Sequence, residues 1–296
     1  MIFFSYLCAR FFLNSKKVTV NEQMSGILTG KKGIIFGALD ERSLAWHVAK
    51  RCQEEGAQVV LSNIEIAIQL GTISELASAH GMPLIPCDAT QPEDIRALFM
   101  RAQALLGGPV DFILHAIAQS TNLRRHKSYE EVNYTYYHQT IDISAMSLHK
   151  ILRTAMEMDA IAEGGSVIAL SYIGSERYFY GYNDMSDAKA MLESIARQMG
   201  ALYGRKKKVR VNIVSQSPTP TKAGGSWKEI EYFYRYADHL SPLGNADADA
   251  CAGVCVALFS DLTRSITMQT IYSDGGFGRT VLTPEILDDF RNGYED

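Results

Sequence analysis

With 296 residues, of which 47% are hydrophobic and 21% charged, the chain has enough apolar side chain to fold around one large core, which excludes wholesale disorder. A net charge of -4 leaves no basic footprint for a phosphate backbone and argues against nucleic acid as a partner. Five cysteines (Cys8, Cys52, Cys87, Cys251, Cys255) make an odd set. Cys251 and Cys255 stand one helical turn apart with no histidine nearby, so they read as buried thiols of a reducing, cytoplasmic compartment and not as zinc ligands.

Residues 1–23 open apolar but are interrupted by Arg10; they are too short to span a membrane and lack the basic start and cleavage site of a signal peptide. The expectation is a disordered or mis-started extension, with no membrane segment, ahead of one folded domain over 24–296. There the first apolar run, GIIFG at 33–37, leads through Gly37-Ala-Leu-Asp-Glu-Arg-Ser43-Leu44-Ala45 into a helical pattern near 43–55. This loop is not G-x-G-x-x-G. Gly37 nevertheless permits close backbone approach, and Ser43 with Leu44 can present a hydroxyl and amides to a pyrophosphate at the positive helix end. A tight turn with Ser43 as an ordinary N-cap fits the same residues.

The second run, QVVLS at 58–62, is followed by no lysine or arginine until Arg96. A 2'-phosphate would find only Arg42 of the first loop within reach, so NADH is the expected cofactor; the first carboxylate after the strand is Glu65. The third run, PLIP at 83–86, ends near Asp88 and Ala89, where a carboxylate can accept from an adenine amino group, though Asp88 also fits a turn before the helix at 92–106. The fourth, DFILHA at 111–116, carries His115, read as a satisfied core residue, and is followed by Ile117 and Ala118, with little bulk to obstruct a ribose. A helix near 131–158, the run SVIALS at 166–171, a helix near 184–203, VRVNIVS at 209–215, a helix near 246–260 and QTIYSDGG at 269–276 complete the series.

These runs are continuously apolar, as strands covered on both faces are, and their alternation with helices calls for parallel pairing through right-handed crossovers. The expected fold is α/β: a single doubly wound Rossmann-type domain with a seven-stranded parallel sheet flanked by helices. Ligands of such sheets lie beyond the carboxyl ends of the strands.

After the fifth run lies Ser171-Tyr172-Ile-Gly-Ser-Glu-Arg-Tyr-Phe-Tyr-Gly-Tyr182-Asn-Asp-Met185-Ser-Asp-Ala-Lys189. Ordinary short-chain dehydrogenases space their tyrosine and lysine as Tyr-x3-Lys, but here Met185 holds that tyrosine position and Tyr182 stands seven residues before the lysine. Seven residues are close to two helical turns, which puts phenol and amine on one face with the lysine set deeper. In this Tyr-x6-Lys spacing, in the Gly37-x5-Ser43-x-Ala45 loop, in S-Y-x-G-x-E-R at 171–177, in VRVN at 209–212 and in SDGGF at 273–277, the chain resembles the enoyl-acyl-carrier-protein reductases of type II fatty acid synthesis, a divergent branch of the short-chain dehydrogenases. The resemblance runs from about Gly30 to Phe277.

It implies hydride transfer from the nicotinamide of NADH to the β carbon of an enoyl thioester. Tyr182 would donate a hydrogen bond to the resulting enolate and Lys189 would hold the ribose, while Tyr172 would stand near the thioester. By the same resemblance Ser120 and Met185 line the acyl pocket, and Thr219, Pro220, Thr221, Lys222 and Ala223 contact the nicotinamide and pyrophosphate. The chain departs from the family where it has Ser215-Gln-Ser-Pro218 in place of a glycine-proline step, and at Ile64 beside the adenine. The segment 219–238, with Gly224-Gly225 and WKEIEYFYRY, reads either as a substrate-covering lid or as a plain surface helix. The partner implied is acyl carrier protein, which is acidic, and Arg124, Arg125 and Lys127 beyond the fourth strand are the docking candidates; the assembly implied is a homotetramer. Two other readings share the fold: a short-chain ketoacyl or alcohol dehydrogenase, which should show Tyr-x3-Lys with an upstream serine, and a non-catalytic dinucleotide sensor.

Overall fold

The strands β1 (Lys32–Phe36), β2 (Gln58–Asn63), β3 (Leu84–Pro86), β4 (Val110–His115), β5 (Ile161–Ser171), β6 (Arg210–Gln216) and β7 (Thr270–Ser273) pair in parallel in the order β3-β2-β1-β4-β5-β6-β7. The computed structural model describes residues 26–221 and 230–293. The extension at 1–23, Lys222 and Ala223, and the Gly224-Gly225 and Trp227 part of the proposed lid lie outside the described residues.

Successive residues of each strand face opposite sides of the sheet, and both sides are apolar. Ile34, Ile113, Val167 and Val211 meet α4 (Pro92–Leu106), α7 (Ser147–Glu157) and α8 (Asp184–Lys207) through Phe99, Leu148, Ile151 and Leu192. Their neighbours Ile35, Phe112 and Ile168 meet α1 (Leu44–Glu54) and α10 (Ala248–Phe259) through Trp46, Val48, Cys255 and Phe259. Phe112 stacks on Phe259 with ring centroids 4.5 Å apart, and Gly33 is what admits the Phe112 ring: a Cβ at Gly33 would stand 2.0 Å from it. Cys52, Cys87, Cys251 and Cys255 are buried free thiols. Among the described residues no helix is long and apolar enough to cross a membrane.

The helical pattern at 131–158 is not one uniform helix. A single 3-10 turn at Tyr129–Glu131 precedes α6 (Tyr134–Ile141), whose first turn is capped by Asn133, and a wider π turn at Asp142–Met146 joins α6 to α7. The π turn lies where the helix passes the loop after β4: Ser144 Oγ accepts from the Gln119 amide at 2.9 Å and contacts its carbonyl at 3.2 Å. Short helices α2 (Glu65–Leu70), α3 (Ile73–Ala79) and α5 (Thr121–Arg124), the aromatic helix α9 (Ile230–Leu240) and the terminal α11 (Pro284–Asn292) add to the expected set. The seventh strand stops at Ser273, because Asp274 turns back to accept from the amides of Gly276 and Gly278 at 3.0 and 2.7 Å.

Candidate active site

The strand order reverses direction between β1 and β4, so the crevice of this sheet opens at their carboxyl ends. The segments leaving β1 and β4 touch there: Gly37 has φ +97°, and a Cβ on it would fall 2.1 Å from the Ala116 carbonyl oxygen. Ser43 occupies the N-cap position of α1 without capping it. Its hydroxyl instead donates to the Asp40 carbonyl at 2.7 Å and accepts from the Leu39 amide at 3.2 Å, closing the loop. A cavity of about 300 Å³ starts at this loop, with Gly37, Ser43 and Leu44 at one end and Tyr172, Tyr182 and Met185 at the other.

The residues expected after β2 and β3 lie outside the cavity lining. Asn63 ties the end of β2 to the Ala38 carbonyl at 2.8 Å, and Ile64 stands exposed beside it. Asp88 accepts from the Thr90 amide and hydroxyl at 2.9 and 2.7 Å, and neither Asp88 nor the buried Ala89 lines the cavity. Arg42 lies 3.9 Å from the Asp40 carboxylate. Ile117 packs into the core, while Ala116, Ala118, Gln119 and Ser120 line the cavity.

The wall after β5 carries the aromatic chemistry. Tyr172 and Tyr182 meet edge to face with centroids 5.1 Å apart, and Gly174 lies under both: a Cβ there would stand 2.7 Å from the Tyr182 ring and 3.3 Å from that of Tyr172. Burial pushes both phenols up, so both are neutral donors at ordinary pH. The Tyr172 hydroxyl is buried and has no hydrogen-bond partner among the described residues, an arrangement that a ligand oxygen would complete. Phe179 packs on Tyr172 and on Phe233 of α9, at 5.3 and 4.7 Å between centroids.

Two turns into α8 lies Lys189, 5% exposed, whose Nζ donates to the Leu170 carbonyl at 2.8 Å. Burial lowers its pKa to about 8, against the pull of the Glu193 carboxylate. His115 lies in the same dry layer; desolvation, reinforced by the Lys189 charge, lowers it to about 3, and its Nε2 pairs with Ser147 Oγ at 2.7 Å, so it is a neutral core residue. The Tyr-x6-Lys spacing thus brings Tyr182 and Lys189 to one cavity wall, with Tyr172 and Met185 beside them.

Between Tyr182 and α8 the backbone is forced. Asn183 has φ +57° and ψ -139°, and its side-chain amide donates to the Lys127 carbonyl. Asp184 follows, fully buried. It accepts from Ser120 Oγ at 2.6 Å, Asn122 Nδ2 at 2.9 Å and Thr140 Oγ1 at 2.9 Å, and so clamps the loop after β4 and α6 to the start of α8. Ser120 also accepts from the Leu123 amide at 2.9 Å, so its hydroxyl is engaged within the protein. Asp184 and Glu193 escape a reading of the sequence because their partners lie far away in the chain; a carboxylate within an otherwise apolar helix face was the only available signal.

After β6, Thr219 Oγ1 donates to the Ser217 carbonyl at 3.0 Å, and Tyr234 of α9 donates to the Thr219 carbonyl at 3.0 Å. Thr219 and Thr221 line the cavity and Pro220 is exposed beside them.

Comparison with known proteins agrees with this geometry. The family described as Enoyl-(Acyl carrier protein) reductase matches residues 37–278. The enoyl-[acyl-carrier-protein] reductase [NADH] 2 of Rhizobium meliloti is 31% identical over 260 residues, 87% of this chain and 95% of that protein. The Bacillus subtilis enoyl-[acyl-carrier-protein] reductase [NADH] FabI is 28% identical over 86% of this chain and 98% of its own length. A crystal structure of a FabI-NADH complex from Alistipes finegoldii superposes with a TM-score of 0.86 at 50% identity, covering 88% of this chain and 92% of that one.

The Asp184 clamp makes a stability prediction. In Asp184→Ala the Ser120 hydroxyl and one Asn122 bond lose their buried acceptor, while Thr140 keeps the Tyr136 carbonyl at 2.9 Å. Urea unfolding should show a loss of about 2–4 kcal/mol; a change within experimental error would mean that the carboxylate does not hold the clamp.

Proposed function

The chain belongs to the enoyl-(acyl carrier protein) reductase family, and on that footing we propose that it reduces the trans-2 double bond of an enoyl thioester carried on acyl carrier protein, using NADH, in fatty acid elongation. The observation that carries this reading is the convergence of Tyr182, Tyr172 and the buried Lys189 on one cavity that reaches the β1–β4 switch point. NADH supplies the hydride when bound. The residues present suit it: Gly37 brings two strand ends together, the first turn of α1 opens on the cavity, and Lys189 reaches the floor where a nicotinamide ribose would lie. The absence of lysine and arginine from Cys52 to Ile95 favours a free 2'-hydroxyl over a phosphate.

In the reaction Tyr182 donates a hydrogen bond to the thioester oxygen as charge gathers there. Its neutral phenol is suited to that task because burial keeps the proton in place. Lys189 holds the ribose hydroxyls and places a positive charge beneath the same oxygen, and the free Tyr172 hydroxyl orients the thioester. Gly37, Ser43, Leu44, Thr219 and Thr221 line the cavity and are assigned to the cofactor side with Pro220 beside them, whereas Asp88, Ala89 and Ile117 do not line it and are left to the adenine end of the reading; Lys222 and Ala223 lie beyond the described residues. Met185 and Ser120 border the acyl side, Ser120 through its backbone and position since its hydroxyl is engaged. Phe233 and Tyr234 of α9 line the cavity, which supports a substrate-covering role for 219–238. Ser171, at the end of β5, lines the cavity but gives its hydroxyl proton to Glu193 at 2.5 Å, which speaks against a ketoacyl dehydrogenase. A homotetramer and a cytoplasmic location are part of the same proposal, on the strength of the family.

Arg124 lines the cavity mouth, Arg125 lies over the Tyr136 ring at 4.9 Å, and Lys127 is tied through its carbonyl to Asn183. These cations fit the acidic carrier.

Tyr182→Phe should retain its fold and NADH affinity while losing roughly 10²–10³-fold in kcat, followed as loss of absorbance at 340 nm with crotonyl thioester; an undiminished rate would remove Tyr182 from the chemistry. Replacing Arg124, Arg125 and Lys127 together by alanine should raise KM for carrier-linked substrate well above any change for the coenzyme A analogue, whereas equal losses would place the carrier elsewhere.

A further inference from the structure

Lys189 shares its dry layer with a second charge. One turn further along α8, Glu193 is also buried, and its carboxylate is fixed from three directions. Oε1 accepts from Ser171 Oγ and Ser175 Oγ, both at 2.5 Å, and Oε2 from Thr270 Oγ1 at 3.4 Å. The donors come from the end of β5, the turn after it and the start of β7, so the carboxylate cannot swing out to solvent without breaking all three bonds. A buried carboxylate needs an opposite charge to offset its lost hydration. Four residues back on the same helix face lies the buried amine of Lys189, a positive charge that acts on the carboxylate through space and not as a close ion pair.

The other titratable groups around Lys189 do not compete for that role. His115 at the end of β4 is neutral, Tyr172 after β5 and Tyr182 ahead of α8 keep their protons, and Asp184 spends its carboxylate on Ser120, Asn122 and Thr140. Glu193 is the buried carboxylate left on that helix face, and its attraction opposes the desolvation that favours the free amine.

We propose that Glu193 is a positioning residue for Lys189: a counter-charge clamped by Ser171, Ser175 and Thr270 that keeps the amine protonated beneath the cavity, where the Leu170 carbonyl holds it. The inference rests on the ribose-holding role given to Lys189 above. Its sign is fixed, since a nearby negative charge stabilises the ammonium and its removal moves deprotonation to lower pH. The serine hydroxyls are therefore part of the device, aiming the carboxylate while withholding themselves from substrate.

The test is a carbon-13 NMR titration of protein labelled at lysine Cε, with Lys189→Arg identifying the resonance. In Glu193→Gln the Lys189 midpoint should fall by on the order of one pH unit, and the alkaline limb of kcat/KM should fall with it. Glu193→Asp, which draws the same charge back by one methylene, should move the midpoint less in the same direction, and it keeps the test open where the amide variant does not fold. An unmoved midpoint in either folded variant overturns the proposal. A midpoint that moves while the rate profile stays fixed upholds the counter-charge and overturns the catalytic role of Lys189 instead.

Discussion

A primary amine set beneath two phenols, with water excluded, must be solvated by protein, and the architecture of the cleft is organised around that demand. Burying an ion costs several kcal/mol unless hydrogen bonds and an opposite charge offset it. Lys189 receives a carbonyl from Leu170 at the end of β5 and lies on the same helix as the buried Glu193 carboxylate, which acts on it through space, while His115 in the same layer is held neutral and adds no repulsion. The same layer thus presents one positive charge, at one depth, under the aromatic wall.

Rigidity around the amine comes from contacts that leave little freedom to the tyrosines. Gly174 lets the Tyr172 and Tyr182 rings lie against the backbone, and the left-handed Asn183 turns the chain sharply between Tyr182 and α8. Asp184 then locks that turn to the loop after β4, and the π turn at 142–146 brings Ser144 to the same loop. The cofactor side and the aromatic side of the cavity are in this way joined by hydrogen bonds independent of any ligand. The aromatic side continues into α9, where Phe233 meets Phe179 and Phe277, and α11 braces α9 through the Thr283 hydroxyl on the His239 carbonyl at 3.1 Å.

Much of this is legible in the sequence, for reasons that are local. Strands buried on both faces announce themselves as unbroken apolar runs, and all seven fall within a few residues of their expected places. Tyr182 and Lys189 can be paired from their spacing, but not for the helical reason the spacing suggests: Tyr182 precedes α8 in a turn, and the non-helical Asn183 between them, invisible in the sequence, is what brings the phenol to the same cavity. Other features depend on contacts between distant parts of the chain. The break within 131–158 follows from Ser144 meeting Gln119, Asp184 gains its meaning only beside Ser120, Asn122 and Thr140, and Glu193 only beside Ser171, Ser175 and Thr270. Ser43 shows the limit from the other side: its position at the start of α1 was readable, but the direction of its hydroxyl, toward Asp40 and Leu39, was not.

The central claim is that this cleft delivers a hydride to the β carbon of an enoyl thioester. It is tested most directly by running the reaction with NADH carrying deuterium at both C4 positions and locating the label in the product by mass spectrometry and NMR. The account predicts one deuterium at C3 of a saturated acyl chain, with the C2 hydrogen drawn from solvent. Unlabelled product, or label recovered on a carbinol carbon when a ketoacyl thioester is offered in its place, would contradict it.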